Sequence, residues 1–185
     1  TLDTMMVHGE GMGDQDLPEY KPAEERTWDL LHTSLDLSFD WSKEQVIGKA
    51  ILTLTPVFYV QQTIELDAVQ FEVHSVSIDN KQITNFQNDG HSLLIQLPKV
   101  YKRDDQLKLE IEYTAHPQPS GLEAGAAITS DRGLFFIDPL DTIPGLARQI
   151  WTQGETTNNS KWYPTLDQPN ERGTQEIFLT VPDTM

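Results

Sequence analysis

From position 31 the chain alternates in hydrophobicity: Leu31, Thr33, Leu35, Leu37, Phe39 and Trp41 are interleaved with His32, Ser34, Asp36, Ser38 and Asp40. A period of two places the two sets on opposite faces of a pleated strand, so this stretch is read as a half-buried β-strand. The same period recurs in Gly48, Ala50, Leu52 and Leu54 against Lys49, Thr53 and Thr55, and in Ile64, Leu66 and Ala68 against Thr63, Glu65 and Asp67. Pro56, which has no N–H to donate, marks an edge or a strand end. A further strand is expected over residues 71–78, followed by the turn signal Asp79-Asn80-Lys81; Asn88-Asp89-Gly90 is a second such signal ahead of the apolar run 93–97. Both predict hairpins. Leu107, Leu109, Ile111 and Tyr113 alternate with Lys108, Glu110 and Glu112. Residues 133–137 form a short apolar strand ended by Asp138-Pro139, and Ile177, Leu179 and Val181 alternate with Phe178 and Thr180 until Pro182. No stretch shows a convincing helical period. The expected fold class is therefore all-β, an antiparallel β-sandwich or bent double sheet.

Three segments break the alternation. Residues 1–26 carry Gly9, Gly11, Gly13, Pro18 and Pro22 among acidic side chains and are expected to form an irregular N-terminal arm. Residues 116–125 contain Pro117, Pro119, Gly121 and Gly125 and form a loop. The third, WTQGETTNNSKWYPTLDQP at 151–169, crowds polar, aromatic and turn-forming residues without a period. A loop braced by Pro164 and Pro169 and carrying Trp162 and Tyr163 is the kind of rigidly held segment on which binding residues sit. Within it Glu155 follows Gly154 and stands close to Gln153. A carboxylate held in this way can face a cleft and pair with a cationic group such as an α-ammonium. The competing reading is a solvated loop glutamate, with Trp151, Trp162 and Tyr163 as packing residues that pin the loop.

Composition narrows the function classes. A chain of 185 residues supports one core. Lys and Arg number 13 against 29 Asp and Glu, and the net charge of -16 opposes phosphate backbones and anionic lipid, so nucleic acid is not an expected partner. With no cysteine there is no disulfide, thiolate nucleophile or cysteine-ligated zinc. No apolar run approaches the roughly 18 residues of a membrane span. Residues 1–13 lack the basic region and apolar core of a signal peptide. The histidines are His8, His32, His74, His91 and His116; the nearest two are 91 − 74 = 17 positions apart, and no H-E-x-x-H occurs. His8 has no second ligand type nearby. Gly-x-Ser-x-Gly and Walker-type loops are also missing, so neither a metal ligand nor a catalytic residue is expected within this chain.

The motifs in the last fifty residues or so carry a resemblance. Thr152-Gln153-Gly154-Glu155, Tyr163-Pro164-Thr165-Leu166-Asp167-Gln168-Pro169 and Ile177-Phe178-Leu179-Thr180-Val181-Pro182 resemble the signature that closes the amino-terminal β-domain of the zinc aminopeptidases of the aminopeptidase N and leukotriene hydrolase family, the gluzincin metallopeptidases. The family step of nine residues from glutamate to proline is met by 164 − 155 = 9. Residues 133–137 and the alternation over 27–58 are also similar, so the resemblance covers residues 27–185, preceded by the arm at 1–26. It implies a saddle-shaped sheet packed on a separate downstream catalytic domain of the same polypeptide, and a parent enzyme that removes N-terminal residues from peptides. That domain would bind the zinc through residues absent here, leaving this fragment without metal and inactive alone. By position, the amine-recognising carboxylate falls at Glu155 and a wall of the first side-chain pocket at Gln153, with Gly154 between them; peptide N-termini are the implied ligands. Departures are Gly154 and Leu166 where bulkier or aromatic residues are common, Gln168 for the usual glutamate, and Ser160 for a frequent arginine; they imply a looser loop with a different charge network. An alternative stays open, a non-catalytic β-sandwich module that binds protein or glycan. The ending three residues after Pro182 points to a longer polypeptide, and acidity without cysteine is compatible with an exported bacterial protein.

Overall fold

The computed structural model describes residues 25–117 and 133–183. Most of the expected arm (residues 1–24) and of the expected loop (118–125) lies outside the described residues. Eleven strands follow in chain order: β1 (Trp28–Asp40), β2 (Gln45–Pro56), β3 (Gln61–Asp67), β4 (Phe71–Ile78), β5 (Lys81–Ile83), β6 (Phe86–Asn88), β7 (Ser92–Tyr101), β8 (Leu107–Ala115), β9 (Gly133–Ile137), β10 (Gln149–Gln153) and β11 (Thr174–Leu179). Among the described residues the only helical turn is a 3-10 turn at Asn159–Lys161. The all-β expectation holds, and so do both hairpins. Asp79 and Asn80 take positive φ values of 50° and 64°, the conformation a tight turn between β4 and β5 demands and one that Asp and Asn tolerate.

The strands form a six-stranded sheet in the order β11-β1-β2-β8-β4-β5, a three-stranded sheet β3-β7-β6 and a separate β10-β9 pair. The inward sets of the alternating strands supply one continuous core: Ala50, Leu52 and Leu54 of β2, Leu107, Leu109 and Ile111 of β8, Ile64 and Leu66 of β3, and Leu93 and Ile95 of β7 are all buried. Their burial is the main stabilising term for a chain with no disulfide. Tyr113 belongs to the same set, stacked on Phe71 with ring centroids 4.9 Å apart. Its hydroxyl donates to the Trp162 carbonyl at 3.0 Å and so ties the 151–169 segment to the centre of the sheet; burial raises its pKa.

Two local expectations need correction. A bulge in β1 opposite β2, between Leu30 and His32, shifts the phase, so that Trp28, Leu30 and Thr33 are buried while Leu31 is only half-buried. An extra residue on one strand inverts its facing upstream of the bulge, which simple alternation does not reveal. The second concerns β11. It pairs in parallel with β1, an exception to the antiparallel rule, and all six of its residues are exposed, with Ile177 at 44 % and Leu179 at 58 %. The apolar alternation there is real, but no layer among the described residues covers either face.

Candidate functional site in the 154–169 loop

Gln153 ends β10 opposite Gly133 of β9 and is half-buried, whereas the glutamate two positions on is exposed. The chain between them turns sharply. Asn158 N–H donates to the Gly154 carbonyl at 3.0 Å, and the Asn158 side-chain amide donates to the Glu155 carbonyl at 2.9 Å. The expected looseness at Gly154 is not found: a Cβ there would lie 2.3 Å from the Asn159 side-chain oxygen, so the asparagine occupies the space that a larger residue would need. Gly133, with φ +73°, is required for a related reason, because its Cβ would meet the Asn158 carbonyl at 2.0 Å. The loop is therefore compact, and Glu155 stands on a turn whose backbone is held from both sides.

The far end of the loop docks on the corner between β3 and β4. Asp67 and Thr165 form a two-bond antiparallel bridge, with N···O distances of 2.8 and 3.1 Å, and Val69 N–H donates to the Ser160 carbonyl at 2.9 Å. The Asp67 carboxylate accepts the Asp167 N–H at 2.8 Å, and the Asp167 carboxylate in turn accepts Ser160 N–H at 2.8 Å. Asp167 is buried, and desolvation raises its carboxyl pKa, partly offset by the Ser160 hydrogen bond. Ser160, at a position where the resemblance favours arginine, is 4 % exposed and donates its backbone N–H; the charge network here is built on aspartates instead. Trp162 and Tyr163 are buried as packing residues, while Trp151 stays partly exposed and stacks on Phe135.

Beside Glu155 lies an open cleft of about 480 Å³, walled on one side by residues 154–169 and on the other by Leu30 and Thr33 of β1 and Thr174 and Gln175 of β11. The charged side chains lining it are Glu155, Asp167 and Glu171. Glu171 is answered by Arg26, whose guanidinium donates to both its oxygens and to Asp29; these contacts raise the arginine pKa. Asp167 is engaged by Ser160, with the Asn159 amide at 3.4 Å. Among the described residues Glu155 has no side-chain partner, so its carboxylate is the unpaired one of the three acids lining the cleft.

Gln153 does not line this cleft, so Glu155 and Gly154 are the expected site residues brought to it. Asn159, Asp67 and Arg26 were not singled out from sequence. Asp67 and Asp167 are 100 positions apart, and nothing in the local pattern of a strand end announces such a partner. Among the described residues, no group of three or more His, Asp or Glu side chains is placed to hold a metal ion, and no helix is long and apolar enough to cross a membrane. The described residues do not fit a zinc site. His32 and His74 have structural partners, the hydroxyls of Thr174 at 2.7 Å and Thr114 at 2.8 Å.

Comparisons with known proteins bear on the family and the fold. The model of the peptidase M1 N-terminal domain matches residues 29–185. A variant of the M1 zinc metallopeptidase from Deinococcus radiodurans, bound to a Tyr-Ser-Ala substrate, superposes with a TM-score of 0.65 at 18% identity, covering 85% of this chain and 33% of that one. Native leukotriene A4 hydrolase from Saccharomyces cerevisiae gives 0.61 at 19%, covering 84% and 24%. Transcription initiation factor TFIID subunit 2 of Schizosaccharomyces pombe is 26% identical over 176 residues, 83% of this chain and 15% of its own length. The chain thus spans about a third or less of the relatives it matches. By the match over residues 29–185, and with an all-β fold shared with metallopeptidases of that name, the chain belongs to the peptidase M1 N-terminal domain family.

Proposed function

We propose that residues 27–185 are the amino-terminal domain of a zinc metalloaminopeptidase, and that Glu155 is the anion that recognises the α-ammonium of a peptide substrate, with Gln153 and Gly154 shaping the loop at the first side-chain pocket. The observation that carries this reading is a carboxylate with no side-chain partner among the described residues, on a tightly hydrogen-bonded turn and lining a cleft whose other acidic groups are engaged. An exopeptidase needs a fixed negative charge at a set distance from the scissile bond, so that only a free amino terminus fits, and covering the pair from water strengthens it. The catalytic domain would supply that cover, together with the zinc and its ligands, from the same polypeptide.

In the full-length polypeptide, Glu155→Gln raises KM for unblocked dipeptide amides and lowers kcat/KM by about tenfold to a hundredfold, as loss of a charge-assisted hydrogen-bonded anchor requires. Unchanged kinetics would remove Glu155 from the site. A second reading is favoured by one observation, the likeness to a TFIID subunit: the domain could belong to a non-catalytic assembly protein. An H-E-x-x-H with a further glutamate in the remainder of the polypeptide decides for the peptidase, and its absence for the scaffold.

A further inference from the structure

The carboxylate of Asp167 faces the cleft, yet its oxygens are directed to the loop itself: one accepts Ser160 N–H at 2.8 Å, and the other has the Asn159 side-chain amide at 3.4 Å. Its own N–H is held by the Asp67 carboxylate at 2.8 Å, and Asp67 is bridged through its backbone to Thr165. Asn159 in turn fills the space under Gly154, and its neighbour Asn158 holds the carbonyls of Gly154 and Glu155. A continuous chain of contacts runs from the β3 corner to the backbone of the proposed amine anchor: Asp67, Asp167, Ser160 with Asn159, then Gly154 and Glu155.

From this we infer that Asp167, clamped by Asp67, is a positioning residue that sets where Glu155 stands in the cleft and thereby the affinity for an amino-terminal ammonium. The inference rests on the reading of Glu155 given above. Asp167 acts through the loop and touches no substrate. A buried carboxylate is suited to this task because it has acceptor sites on both oxygens, whereas an asparagine in its place has one acceptor oxygen and an NH₂ group that would oppose one of the two donors.

The test is a double-mutant cycle in the full-length enzyme, with Glu155→Gln as the reference. Asp167→Asn, close to isosteric, and Asp67→Ala, at an exposed position, should each raise KM for unblocked dipeptide amides by about five- to tenfold. Each should leave kcat within about twofold, and neither should add more than about twofold once Glu155→Gln is present, because residues acting through one group are not additive. A merely structural role predicts instead a loss that is independent of Glu155 and visible in kcat. Unchanged KM in both variants, or a full additional loss in the Glu155→Gln background, overturns the positioning role and leaves the Glu155 reading standing. Unchanged KM in Glu155→Gln alone overturns both.

Discussion

At the scale of single residues, two aspartates show how similar side chains acquire opposite acid behaviour from their surroundings. Asp138, at the turn after β9, accepts the N–H groups of Thr142 and Ile143, each at 2.9 Å, and the Thr142 hydroxyl at 3.0 Å; the two backbone bonds hold its carboxyl below the usual range. A lowered folded pKa means that the unfolded chain binds the proton more readily. The stabilisation is complete above the unfolded value, about pH 4, and is lost as pH falls through the folded one. Asp167 has the reverse sign, because burial raises its pKa and folding therefore favours its protonated form as pH falls. We predict that Asp138→Asn lowers stability at neutral pH and leaves a shallower acid limb, measured by urea unfolding between about pH 2 and 7; an unchanged slope would show that the turn does not depend on this charge.

At the scale of elements, the alternating strands were legible because period-two patterning maps directly onto a sheet with one buried face. β2, β4 and β8 appear where Ala50, Val76 and Ile111 predict them, and both hairpins occur at their turn signals. The phase of the first residues of β1 was not legible, since a bulge depends on a partner strand and leaves no mark in composition. The compactness of the Gly154 turn was hidden for a like reason: Asn159, five positions on, supplies the bulk that the glycine lacks. β11 presents an element whose sequence says strand and whose surroundings do not cover it. Its amides in the isolated 185-residue chain should exchange with deuterium faster than those of β2 and β8, which are paired on both sides, because protection scales with burial and pairing. Equal protection across the three strands would show that the edge is covered in solution.

At the scale of the whole molecule, a net charge of -16 surrounds a cleft whose charged lining is acidic, which attracts cations and raises their local concentration. Family and fold could be recognised because the motif at 152–169 combines residue types at fixed spacing with a preceding β-domain. The Asp67 and Arg26 contacts that organise the cleft join segments 100 and 145 positions apart and had no sequence signature. The division of labour proposed above gives this domain recognition through Glu155 and leaves the metal to a separate catalytic domain. The most direct measurement compares inhibition constants of a dipeptide and its desamino analogue on the full-length polypeptide and its Glu155→Gln variant. Amine recognition by Glu155 requires that the native protein prefer the amine by about tenfold to a hundredfold and that the variant lose this preference. Equal discrimination by both proteins would contradict it.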